Sequence, residues 1–172
     1  MAARAEKGNN RIFTFKVIQS NYSCMVRGFP YRVLAIPEGF TLYQFAEAII
    51  ESFNFDFDHM FGFYNNLTRY QQSTEGYELF ADDPDPRYNF DGPDFPGVKK
   101  TKVNAVFTAI GKKMLFLFDY GDQWYFRVEH IGIEPAKRGK PYPDCVKSVG
   151  KARPQYGEPD DDSGEDDPNK GE

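Results

Sequence analysis

Met114 to Glu134 reads MLFLFDYGDQWYFRVEHIGIE, an apolar run that enters a short turn and returns through the only tryptophan of the chain. Met114, Phe116 and Phe118 share one face and Leu115, Leu117 and Asp119 the other, so the incoming run is apolar on both sides up to the turn. That pattern describes a central strand. Gly121-Asp122 between the two runs fits a two-residue hairpin in which glycine supplies the positive φ. On the way out Trp124, Phe126 and Val128 alternate with Tyr125, Arg127 and Glu129, after which the apolar phase moves to Ile131 and Ile133. A phase change of one residue predicts a β-bulge near Glu129 and His130.

Working outward, IFTFKVI and FPYRVLAI read as two further strands that pair as neighbours. A helix follows, with Thr41 as N-cap, Gln44 completing a capping box and Phe40 placed to staple against Phe45. Its apolar stripe is Leu42, Phe45, Ala46, Ile49, Ile50 and Phe53, with Gln44, Glu47 and Glu51 outside it, so one face lies on the sheet and the other is wet. HMFGFYN and YELF read as strands, followed by a long loop over 82–97. A second helix is predicted with Thr101 as N-cap, Val103, Val106, Phe107 and Ile110 at helical spacing, and Gly111 as its stop. Residues 141–149 are expected to add one helical turn. The sum is an α+β domain, a mostly antiparallel sheet of five or six strands with two helices on one face.

The chain has 172 residues with 40% apolar content, enough for one sizeable core, and 17 Phe with 11 Tyr predict a core built from rings. Cys24 and Cys145 give neither a disulfide framework nor metal-ligand spacing and read as reduced thiols. The start MAARAEKGNN lacks a signal-peptide core, and no apolar run approaches the length of a membrane span, so a cytoplasmic protein without a membrane partner is expected. Residues 158–172 hold eight acids and one lysine, a net of −7, which leaves about +2 for residues 1–157. Three parts follow: a disordered lead-in over 1–10, a single domain over 11–157 and a disordered acidic tail over 158–172. Just before the tail, Lys137, Arg138, Lys140, Lys147, Lys151 and Arg153 face Asp144 alone within 136–153. The tail is placed to fold back over this basic segment and compete with an anionic partner.

Candidate chemistry begins at the turn, where Asp119 and Asp122 are close enough in sequence to hold a hard cation or do acid–base work. The simpler reading is that both carboxylates bond turn N–H groups. Trp124 reads as a core anchor, with the alternative of flooring a ligand pocket. His59 and His130 lie on separate strands, near Asp56, Asp58 and Glu129, without HxxxH or HExxH spacing. Asp82, Asp83, Asp85, Asp91 and Asp94 lack the order of an EF-hand. With no nucleophile elbow, GxGxxG or P-loop, neither a metal nor a cofactor is expected.

FLFDYGDQWYFRVE resembles the phrase "tyrosine-aspartate-phenylalanine-glycine-aspartate, any residue, tryptophan" of the plasmid pRiA4b ORF-3-like domain family. FPYRVLAIPEGFTLYQFAEAIIESFNF is similar to that family's arginine-bearing strand and following amphipathic helix, and DHMFGFY to its histidine-bearing strand. YPDCVKSVGKARPQYG resembles the closing segment of one branch, so the likeness runs over residues 11–157. Where many relatives carry histidine, this chain has Ala46 and Phe126, and the cysteine-glycine-glycine ending of other members is absent. The resemblance implies no biochemical activity, since none is established for the family, whose members occur on plasmids and beside transposable elements.

The functional expectation is a non-catalytic binding or interaction module for a protein or anionic ligand. Its candidate binding residues are Arg32, His59, Tyr120, Trp124, Lys137, Arg138 and Lys140. The alternative is a metal-dependent hydrolase or nucleic-acid-processing enzyme using Asp119, Asp122 and His130. A third reading is nucleic-acid binding through 136–153, gated by the tail.

Overall fold

A computed structural model of the chain describes residues 10–21, 23–83 and 94–157. The expected lead-in over 1–10, except Asn10, and the expected tail over 158–172 lie outside these residues, as does most of the aspartate loop. No helix among the described residues is long and apolar enough to cross a membrane.

Seven strands form one antiparallel sheet: β1 (Arg11–Gln19), β2 (Tyr31–Pro37), β3 (Phe61–Tyr64), β4 (Gly76–Glu78), β5 (Lys113–Phe118), β6 (Trp124–Pro135) and β7 (Asp144–Val149). They lie in the order β4-β3-β5-β6-β1-β2-β7, so β5 is interior, as its two-sided apolar pattern predicts. The strand beyond the expected five or six is β7, where one helical turn was anticipated. Its mostly exposed residues mix polar side chains with Val146 and Val149 without a regular apolar alternation, and pairing with β2 decides their conformation. The expected bulge is present one residue later than predicted. Phe15 pairs with His130 and Thr14 with Gly132, leaving Ile131 as the inserted residue.

The first helix, α1 (Leu42–Ser52), forms as its sequence specifies. Thr41 Oγ1 accepts from the Gln44 N–H while Gln44 Oε1 accepts from the Thr41 N–H. The Leu42 and Tyr43 N–H groups donate to the carbonyls of Thr101 and Val98, so a distant loop caps what the box leaves open. That tie explains why the second helix is short. α3 spans only Val103–Val106, Thr101 donates its hydroxyl to the Gly97 carbonyl rather than capping a helix, and Ile110 is exposed. Gly111 takes φ +98° at the entry to β5. YELF divides into β4 and the single turn α2 (Leu79–Asp82).

One face of the sheet packs under α1 and α3, with Phe13, Phe15, Val17, Leu34, Met114, Phe116, Phe118, Phe126 and Val128 meeting Phe45, Ile49, Phe53 and Phe107. Rings meet tilted, edge-on or stacked, as between Phe15 and Phe107 at 4.9 Å and 72° and between Phe45 and Phe63 at 5.8 Å and 17°. On the opposite face Leu115, Leu117 and Tyr64 are covered by Leu67, Tyr70, Phe95, Tyr120 and Tyr125, a layer over β3 and β5 that the sequence did not predict. Two helices on one face therefore becomes two helical segments on one face and an aromatic layer on part of the other.

That layer requires Gly62. Its missing Cβ would sit 2.7 Å from the Tyr64 hydroxyl and 2.8 Å from the Tyr120 hydroxyl, which bond each other at 2.6 Å. Gly62→Ala is expected to lower the unfolding free energy by about 1–3 kcal/mol, read by urea denaturation. A variant as stable as the parent would show that the tyrosine pair moves aside freely.

Candidate functional site

The last β5–β6 pair is Phe118 with Trp124, so the turn contains residues 119–123 and is longer than the two-residue hairpin expected. Positive φ falls on Asp119 (63°) and Gln123 (56°), not on Gly121. Aspartate tolerates that conformation because its short side chain bonds the local backbone. Asp119 Oδ1 accepts from the N–H groups of Gly121 at 2.9 Å and Asp122 at 3.3 Å, which is the structural role weighed against cation binding. Its other oxygen lies 3.4 Å from His59 Nε2, and His59 Nδ1 lies 2.6 Å from Asp58. Tyr156 donates to the second oxygen of Asp58 at 2.6 Å. That bond holds the exposed Asp58 carboxyl below its ordinary range and pushes the Tyr156 phenol up to about 12. His59 is thus braced between two carboxylates. Among the described residues no group of three or more His, Cys, Asp or Glu is arranged to hold a metal ion.

His130 is elsewhere. Six residues along β6 from Trp124 place it about 20 Å from the turn, so Asp119, Asp122, Trp124 and His130 do not share a cleft. It is fully buried, stacked on Phe13 at 4.4 Å, with Nδ1 3.2 Å from the Ala109 carbonyl and Nε2 3.1 Å from the Gly132 carbonyl. Burial lowers its pKa, while the two carbonyls oppose that shift. Trp124 is half-buried, edge-on to Phe55 at 4.8 Å, and the Arg153 guanidinium lies 5.3 Å over its ring. This is the core anchor expected of it, although its indole Nε1 is buried without a hydrogen-bond partner.

Arg32, expected as an anion contact, points inward. Its guanidinium donates to the carbonyls of Ser52, Tyr31, Val149 and Gly150 and stacks 4.7 Å over Phe53. A side chain 8% exposed and bonded to four carbonyls joins the C-terminus of α1 to the ends of β2 and β7. Tyr120 is likewise committed, with its hydroxyl against Tyr64 and its ring against Tyr70 and Phe80. Burial raises both phenol pKa values well above normal, and it raises the neighbouring Glu78 carboxyl against the hydrogen bond from Tyr64.

Of the basic segment, Lys137 and Arg138 are exposed beside β7, while Lys140 pairs with Asp144 at 3.2 Å. The structure adds Lys16 and Tyr31 to the sequence-based set: Lys16 on β1 and Lys147 of the basic segment on β7 flank the ring of Tyr31, at 4.4 and 5.9 Å from its centroid. The signal in the sequence was a lysine at the one charged position of IFTFKVI, which becomes informative only once strand register is known.

A sequence model described as plasmid pRiA4b ORF-3-like protein matches residues 29–160. The chain belongs to this family. The matched span holds β2 to β7, and β1 precedes it. The chain is also similar to the crystal structure of MM3350, a protein of unknown function from Methanosarcina mazei Go1. Its TM-score is 0.67 at 20% identity, covering 87% of this chain and 76% of that one, which establishes a shared fold. No curated protein matches the chain. Ala46 and Phe126 are both fully buried in the main core.

Replacing Arg32 by Leu is expected to destabilise the protein by about 3–5 kcal/mol, since buried carbonyls lose a charged donor. Urea denaturation measures this, and a loss below about 1 kcal/mol would place the guanidinium outside the load on these carbonyls. Because the fold depresses the His130 pKa, the unfolded chain takes up the proton first. The stability from neutral His130 is present above about pH 6.5 and falls as the pH drops below that value. His130→Phe is expected to lose less stability than the parent between about pH 7.5 and 5.5. Equal losses would remove His130 from the pH dependence.

Proposed function

We propose that this pRiA4b ORF-3-like protein is a non-catalytic binding module that engages an anionic partner from its basic β7 side. The supporting observation is how differently the two sets of candidate residues are used. Asp119 is bonded to turn N–H groups and His130 is enclosed between carbonyls, whereas Lys137, Arg138, Lys147 and Lys151 are exposed on or beside the outermost strand. A general acid or base needs access to substrate, and an exposed run of cations needs only an opposing charge. A metal-dependent hydrolase through Asp119, Asp122 and His130 is disfavoured by the separation of His130 from the turn.

Heparin, a polyanion without bases, is the direct probe. Immobilised heparin is expected to retain the protein at low salt and release it as salt rises. The combined substitutions Lys137→Ala, Arg138→Ala and Lys151→Ala should lower the salt needed for release. Passage without retention overturns the anionic reading, and phosphoester hydrolysis abolished by Asp119→Asn overturns the non-catalytic one.

A further inference from the structure

The second face of the sheet is covered unevenly, and beyond the aromatic layer its side chains range from the buried Ile18 through the half-buried Lys16, Tyr31 and Arg127 to the exposed Lys113 and Lys147. The aromatic layer lies over β3 and β5, and among the described residues no helix crosses the part formed by β6, β1, β2 and β7. Strand register places side chains there in two rows. One runs Lys113, Glu129, Lys16, Val33 and Lys147 across five strands. The next runs Leu115, Arg127, Ile18, Tyr31 and Val149. All lie opposite the packed core, because their strand neighbours Phe15, Val17 and Leu34 point into it.

The charge on these rows is four cations, Lys113, Arg127, Lys16 and Lys147, against the single carboxylate Glu129. Lys113 Nζ approaches Glu129 at 3.9 Å, a distance too long for a strong pair. With strands about 4.8 Å apart, the cations spread over about 19 Å from β5 to β7. Tyr31 sits among them with ammonium groups at 4.4 and 5.9 Å from its ring centroid. The neighbouring Lys140 and Asp144 neutralise each other and add nothing to the net charge.

From this arrangement we infer that the basic part of this face, Lys16, Tyr31, Arg127 and Lys147 with Lys113 at its margin, is a binding site for single-stranded nucleic acid. The inference rests on the anionic reading above and names the partner class and the residues that meet it. Cations spaced across strands suit the regularly charged backbone of a strand lying over them. The ring decides between polyanions. An acidic peptide uses the cations alone and leaves Tyr31 idle, whereas a base stacks on the ring while its flanking phosphates draw Lys16 and Lys147 away from it. A duplex presents its bases stacked inside and offers this ring no partner.

A fluorescent oligodeoxythymidylate, titrated with the full-length protein and followed by anisotropy, tests the assignment. Binding is expected to weaken with salt at a logarithmic slope of about −2 to −3, from three or four phosphate contacts. Lys16→Ala and Lys147→Ala should each make the slope shallower by about 0.7. Tyr31→Leu should weaken binding about tenfold with the slope unchanged, the signature of lost stacking without lost charge. Tyr31→Phe keeps the ring and should bind like the parent, which separates stacking from a folding defect.

Because the acidic tail is tethered to the same domain, the titration is repeated with Asp161, Asp162, Asp166 and Asp167 changed to Asn. Tighter binding by that variant with the same Lys16, Lys147 and Tyr31 dependence supports the site. Failure of both proteins to bind the oligonucleotide, or binding indifferent to Tyr31→Leu, overturns it. Heparin retention in that case leaves the anionic reading standing and shows the partner to be another polyanion.

Discussion

The structure is organised by one constraint: β5 is apolar on both faces and so must be covered on both. Met114, Phe116 and Phe118 bring α1 and α3 onto one side, while Leu115 and Leu117 bring the tyrosine layer onto the other. A Phe ring removed from water contributes about 1.5–3 kcal/mol, and Phe116 alone touches the rings of Phe61, Phe63, Phe118 and Phe126. Planar side chains also restrict how the layers sit, because tilted and edge-on contacts are available at few separations. The other strands flank β5 on both sides, and the sheet ends on one side in the exposed β7.

How much of this was legible depends on how local each determinant is. The α1 boundaries could be read because Thr41 and Gln44 satisfy each other within four residues, and the interior position of β5 could be read because burial on two faces suppresses alternation. The bulge was visible as a phase shift, since Phe15 and Phe13 must both find partners on β6. The second helix failed because Thr101 has a competing partner in Gly97, and one turn without a side-chain cap does not propagate. β7 failed for the opposite reason. DCVKSV is strand only because β2 offers its edge, a partner more than a hundred residues earlier in the chain.

The candidate site shows the same division. Aspartate as a turn residue was recoverable, but which residue takes the left-handed conformation was not, because Asp119 wins it through bonds to Gly121 and Asp122 that glycine cannot make. Arg32 was recognised as unusual and assigned the wrong direction. Its guanidinium faces inward because four strand-end and helix-end carbonyls converge there, a convergence created by folding. The closing segment is equally non-local: Gln19 binds the backbone of Arg153 across 134 residues, and Gln155 reaches Asp56 and Asp58. These contacts engage the polar groups at the turn end of the sheet and make that end a structural closure.

Chemistry and charge therefore separate for a physical reason. Ala46 and Phe126 lie fully buried in the main core, and an imidazole at either position would need polar partners that the rings packed there do not supply. The lysines are placed by the alternation that builds the core. Because Phe15 and Val17 must point inward, Lys16 must point outward, and antiparallel register then aligns it with Glu129 and Val33, and through Val33 with Lys147. Moving any one of these strands by a single residue would bury the cations and expose the rings at once. The core thus protects the geometry of the basic face as strictly as it protects itself.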